Sequence, residues 1–138
     1  MDQTAPARPL PALNDDNQAF WTGGGEGKLM IARCADCRTY VHPPIPFCPR
    51  CESRNVTPEA VSGRGKITTF TINHKQWMPG LPVPYVLALV EIDEDPAVRI
   101  PTNILGLAPE DVAIDMPVEV FFEQVEEVFV PLFRPVGS

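Results

Sequence analysis

The chain has 138 residues, 44% hydrophobic and 21% charged, with a net charge of −7. That balance fits one or two small folded units rather than a disordered chain, and no run approaches the ~18 consecutive apolar residues of a membrane span. The charge is uneven: residues 28–75 hold eight of the eleven Lys and Arg against three acids, while residues 76–138 hold two against eleven, which argues against general phosphate-backbone binding and leaves a local anion site open in the middle.

Residues 1–27 read as an N-terminal arm and short helix. Pro6, Pro9 and Pro11 make the start extended. The opening MDQTAPARPLPALNDD has no basic stretch followed by an apolar run, so no secretory signal is expected, and the expected location is cytoplasmic. Asn14 or Asp15 is placed to cap a helix over Asp15–Thr22, which carries Phe20 and Trp21. Gly23, Gly24 and Gly25 then end it, because consecutive glycines are entropically costly in a helix.

Residues 28–61 read as a metal-binding ribbon. Lys28–Ala32 is a candidate strand leading into C-x2-C-x10-C-x2-C: Cys34, Cys37, Cys48 and Cys51, the only cysteines. Each CxxC is a tight knuckle that aims two sulfurs at one point, and four thiolates complete the tetrahedral shell that Zn²⁺ accepts. A closed shell leaves no place for water or substrate, so the expected zinc is structural. Such a centre carries a net charge of −2, which Arg33, Arg38, Arg50 and Arg54 are placed to neutralise; anion binding by some of them stays open. Redox iron is the rival, but rubredoxin knuckles usually have glycine after the second cysteine, where this chain has Arg38 and Glu52. His42 lies between the pairs and reads as a packing or surface residue, since four cysteines already fill the shell.

Residues 62–138 change grammar. KITTFTIN (66–73) is rich in β-branched residues, and YVLALVEI (85–92) reads as a strand buried on both faces. Residues 98–105, weakened by Pro101, and residues 117–125 and 128–133 add three more, with one helical turn from Pro109. Five short strands with a helical insertion predict a small OB-fold barrel, so the whole chain is expected to be mainly β. Between Asn73 and Tyr85 runs HKQWMPGLPVP, a proline-rich loop long enough to be functional. Phe20, Trp21, Trp77 and Met78 are candidate partner-interface anchors, with core packing the alternative for the aromatics. His74 reads as a loop residue, solvated or facing a partner. No Ser–His–acid or Cys–His arrangement is readable, so no catalytic residue is named.

The order of these features resembles a known family. A short FW helix, EGKL before C-x2-C-x10-C-P-x-C, then GRGKITTFT, PYVLALVEIDE, MPVEVFFE and a terminal LFRP are similar to the acyl-CoA-associated zinc-ribbon/OB-fold family (domain of unknown function thirty-five). The similarity runs over about residues 15–135. It implies a rubredoxin-like zinc ribbon followed by an OB barrel, with zinc on Cys34, Cys37, Cys48 and Cys51. It also implies a thiolase-like or lipid-transfer-protein-like partner that carries the catalytic residues; docking through the FW helix and the 73–85 loop is expected to give an assembly with two copies of each chain. The small subunit would help form the acyl-CoA site, in contexts such as steroid side-chain retro-aldol cleavage. Arg64 and Lys66 are then candidate contacts for CoA phosphates, and neither nucleic acid nor membrane is an expected partner. A nucleic-acid-binding zinc-ribbon/OB protein is the alternative reading. Two departures are TGGGEG, where the family commonly has a longer helix, and Asp115, where it often has glycine.

Overall fold

The computed structural model describes residues 10–76 and 82–137. Asn14 sets the entry into the first helix. Its Oδ1 accepts the backbone N–H groups of Asp16 and Asn17, and its carbonyl accepts that of Gln18, satisfying donors that a helix start leaves orphaned. Residues 15–17 form this capping turn, so α1 is only Gln18–Thr22, shorter than expected. The glycines that follow do not open into a loop. Gly23–Glu26 continue as a single 3-10 turn. A Cβ on Gly24 would lie 2.5–2.6 Å from atoms of Phe122 and Phe129, so close approach to a strand pair is a second reason for glycine here.

A three-stranded antiparallel sheet comes next, in the order β2–β1–β3. Its strands are β1 (Leu29–Cys34), β2 (Tyr40–Val41) and β3 (Val56–Val61). β3 was not expected from its sequence, VTPEAV. Its Pro58, opposite Ala32, is tolerated because β3 is an edge.

The remaining strands close into a five-stranded barrel in the order β4–β5–β6–β8–β7. They are β4 (Arg64–Asn73), β5 (Tyr85–Ile92), β6 (Asp95–Ile104), β7 (Pro117–Val125) and β8 (Val128–Pro135). The seam closes where Arg64–Lys66 pair with Pro117–Glu119, and where Ile104 bridges Phe133 in parallel. A 3-10 turn at Pro109–Asp111 fills the expected insertion.

One local expectation needs correction. β5 is not buried on both faces: Val86, Ala88, Val90 and Ile92 point into the core, while Leu87 is 47% exposed. The outer face of a closed barrel has no second layer to cover it. In the GRGK segment only Gly63 has positive φ. Gly65 is in strand β4, where a Cβ would collide with the Glu91 carbonyl oxygen.

One core serves both units. Phe20 from α1 and Leu29 and Ile31 from β1 pack with Ile67, Val90, Ile100, Val118 and Phe133 of the barrel. Among the described residues no helix is long and apolar enough to cross a membrane.

Candidate metal centre

The two knuckles are built alike. In the first, the Cys34 N–H donates to the Thr39 carbonyl and the Arg38 N–H to the Cys34 carbonyl; in the second, Cys48 donates to Ser53 and Glu52 to Cys48, all at 2.8–3.0 Å. Each turn needs a left-handed residue after its second cysteine. Arg38 and Glu52 take it, at φ 66° and 65°. The missing glycines therefore do not change the knuckle, and they do not discriminate zinc from iron in the way the sequence implied.

The knuckles are clamped to each other. The Ala35 N–H donates to the Asn55 carbonyl at 2.8 Å. Asp36 accepts from the Ser53 hydroxyl and, at 3.1 Å, from Asn55 Nδ2. The result brings all four sulfurs within 4.8 Å of one another. Cys34–Cys51 and Cys37–Cys48 are each 3.6 Å apart, and no disulfide is formed. A tetrahedron with Zn–S bonds of ~2.3 Å has edges of about 3.8 Å, so the cluster has the right size for one ion.

Three of the thiols differ sharply. The Thr39 hydroxyl and backbone draw Cys37 down to about 6, and the Cys37 backbone lowers Cys34. The Ser53 backbone also lowers Cys51, but the surrounding thiols, Cys37 first, together with burial push it up to about 12. Thiolates forced this close repel, and a dication relieves that repulsion by replacing the shared protons.

Two of the four nearby arginines are tied elsewhere. Arg38 reaches Glu59 at 3.0 Å and Arg33 reaches it at 3.5 Å, and Arg33 also lies over the Tyr40 ring. Arg50 and Arg54 are exposed beside the second knuckle.

The other candidates are scattered. Phe20 is 8% exposed in the chain's own core, so its area is not free for a partner. Trp21 is half-buried and meets Phe20 edge-on at 4.9 Å. Trp77 and Met78 lie outside the described residues. Arg64 and Lys66 share the exposed face of β4, but Lys66 reaches Asp115 at 3.6 Å and Arg64 stands opposite Glu119. His74 is exposed. His42 packs against Phe20 with ring centroids 5.0 Å apart, and its Nδ1 is buried with no hydrogen-bond partner among the described residues. Burial lowers its pKa, which keeps the ring neutral.

Comparison with known proteins agrees with this architecture. Residues 21–57 match the ChsH2 rubredoxin-like zinc ribbon domain, and residues 58–123 match the ChsH2 C-terminal OB-fold domain. A chain of the solved Ltp2-ChsH2(DUF35) aldolase superposes with a TM-score of 0.83 at 37% identity, covering 91% of this chain and 98% of that one. A probable enoyl-CoA hydratase alpha subunit of Thermomonospora curvata is 39% identical over 93% of this chain. The 3-oxo-4,17-pregnadiene-20-carboxyl-CoA hydratase alpha subunit of Mycobacterium tuberculosis is 38% identical over 78% of it. The chain spans 40% and 34% of the lengths of those two relatives.

Proposed function

The chain belongs to the ChsH2/DUF35 family of zinc-ribbon and OB-fold proteins, and from that membership we propose that it is the accessory subunit of a thiolase-like acyl-CoA aldolase or acyltransferase. The observation that carries this reading is the likeness, over nearly the full length of both chains, to the small chain of the Ltp2-ChsH2(DUF35) aldolase. In this reading Cys34, Cys37, Cys48 and Cys51 hold one structural Zn²⁺. The ion fixes the ribbon and takes no part in chemistry, because four thiolates leave it no open position. The catalytic residues belong to the partner, and this chain helps shape its acyl-CoA site in a cytoplasmic hetero-oligomer with two copies of each chain. Trp21 and the loop with Trp77 and Met78 are the proposed anchors, and Arg64 and Lys66 the proposed phosphate contacts. The likeness to the pregnadiene-carboxyl-CoA hydratase subunit supports steroid side-chain breakdown as the setting.

Co-expression with a thiolase-like protein from the same genome, followed by size exclusion with light scattering, tests the reading. The expected result is a stable mixed complex that cleaves or condenses acyl-CoA, while the isolated chain turns over no thioester. A chain that elutes alone in the presence of every such candidate, or that cleaves thioesters unaided, overturns it.

A further inference from the structure

Leu87 is 47% exposed, and of the large hydrophobic side chains exposed among the described residues it is the one inside a strand. Its neighbours extend it into a face. On the outside of the barrel Leu87 lies opposite Thr71 of β4 and Asn103 of β6, and Leu89 lies opposite Thr69 and Pro101. These make two cross-strand rows, Thr71–Leu87–Asn103 and Thr69–Leu89–Pro101, three strands wide and without a charge. The row beyond Leu89 is charged: Glu91 stands opposite Lys66 on one side and Arg99 on the other. In the other direction the rows end at the pair Asn73–Tyr85, where the 73–85 loop leaves the barrel.

A hollow lies on each side of this face. One, of about 260 Å³, sits over β4 and β5 beside Thr69, Thr71 and Leu89. The other, of about 170 Å³, sits between β6 and β8 and has Trp21 and Val130 in its walls. Leu87 and Pro101 line both and stand between them. Among the described residues no Lys, Arg, Asp, Glu or His lines either hollow. The strand edges at the second hollow carry Pro101 and Pro131, which have no N–H to offer an added strand. Apolar side chains therefore fit these hollows, and an extended backbone does not.

The borders of the face indicate what covers it. Nucleic acid needs cations, and neither hollow has one. A second copy would bring the same net charge of −7 against this chain. Trp21 walls one hollow, and the 73–85 loop leaves the barrel at the end of the rows. Both are segments already assigned above to the thiolase-like partner, so the face is continuous with that surface and joins its two parts.

We propose, on the basis of the accessory-subunit reading, that these two uncharged rows are the centre of the docking face for a thiolase-like partner, which fills the two hollows with large apolar side chains. Leu87 is then the central anchor, with Trp21 to one side of it and the loop to the other.

The test uses the zinc-loaded chain and the thiolase-like protein from the same genome that co-elutes with it. Leu87→Lys preserves the strand, because a lysine stem lies along an exposed sheet face with its amine in water, but it puts a charge at the centre of the contact. Calorimetry should show assembly weakened by roughly 30-fold or more, with zinc content and melting temperature unchanged. Ile114, 53% exposed, lies outside the face, so Ile114→Lys should bind as the wild type does. Hydroxyl-radical footprinting reads side-chain exposure and needs no variant: Leu87 should be labelled in the isolated wild-type chain and protected in the complex. A wild-type complex that Leu87→Lys forms equally well, or in which Leu87 is labelled as in the free chain, refutes the docking face and leaves the accessory-subunit reading standing. Equal loss in Ile114→Lys refutes a face centred on Leu87. An isolated chain that light scattering shows to be a dimer, and that Leu87→Lys makes monomeric, assigns the face to a second copy and refutes the proposal too. If no thiolase-like protein of the genome co-elutes with the wild-type chain, the accessory-subunit reading fails and the face with it. Should Leu87→Lys not fold, the footprint of the wild-type complex decides.

Discussion

The glycine run after α1 gives the sharpest structural prediction, because its members face different surroundings. Gly24 is pressed between Phe122 and Phe129, and an added methyl would sit 2.5–2.6 Å from their carbons. Real Cβ atoms do not approach carbon so closely, so the 3-10 turn must lift off the β7–β8 pair or the rings must leave their rotamers. Overpacking of that kind costs about 1–3 kcal/mol. At Gly25 the nearest ring carbon of Phe129 is 3.1 Å away, and the next are at 3.3 and 3.7 Å. A ring edge gives by a few tenths of an ångström, so Gly25→Ala should be nearly neutral. Gly27 faces open space but has φ +72°, so Gly27→Ala should cost about 1 kcal/mol for its left-handed backbone. At roughly 4 °C per kcal/mol for a domain of this size, thermal melts should show losses of about 4–12 °C, ~0 and about 4 °C respectively. Gly24→Ala melting with the wild type, or Gly25→Ala losing as much as Gly24→Ala, would refute the packing argument and return the run to a mere helix stop.

Cys48→Ser should abolish zinc retention, and elemental analysis should find about one zinc per chain in the wild type; less than roughly half an equivalent, with no iron in its place, sinks the four-thiolate site. Chelation should lower the melt of the whole chain in a single transition, because ribbon and barrel share a core; a barrel transition left unmoved by chelator contradicts this. Glu52→Gly and Asp115→Gly each replace a side chain held at positive φ, 65° and 68°. Each should raise Tm by about 2–4 °C, from roughly 0.5–1 kcal/mol of relieved strain. Trp21→Ala and Trp77→Ala should each weaken assembly with a thiolase-like partner by roughly 30-fold while leaving zinc content unchanged. Wild-type affinity in both by calorimetry would remove these residues as anchors.

Much of the fold was legible because its signals are local. The four cysteines lie 3, 11 and 3 positions apart, and a knuckle needs only its own backbone to aim two sulfurs. The barrel strands showed as β-branched or alternating runs, and their observed ends differ from expectation by at most three residues. What stayed hidden depends on pairing. β2 is two residues long, and β3 contains a proline and a glutamate that only an edge position tolerates. The outward turn of Leu87 follows from barrel closure, which an apolar run does not encode. The hollow between α1, the His42–Pro44 segment and β6 was invisible for the same reason: Asn14–Trp21, His42–Pro44 and Ile100–Pro101 meet only in the folded chain. His42 carried a weak clue, a lone histidine beside two prolines, but nothing in the sequence shows that its Nδ1 is buried without a partner among the described residues.

The four-cysteine centre and the hollow beside His42 are joined by one strand. β1 carries Cys34 at its end, and Leu29 and Ile31, 1% and 0% exposed, in the common core. Its neighbours Met30 and Ala32 line that hollow. With an ion on its sulfurs the cage would fix the end of β1, and β1 in turn forms the floor on which Phe20 and His42 pack. Without the ion, the second knuckle keeps only its own turn and the Ala35–Asn55 and Asp36–Ser53–Asn55 clamps. These few exposed hydrogen bonds are each worth about 1 kcal/mol. The segment from Val41 to Cys48, which bears His42 and three prolines, is held between β2 and the cage. Losing the cage frees one of its two ends. An ion held by the four sulfurs would therefore steady the floor under Phe20 and His42 as well as the knuckles themselves.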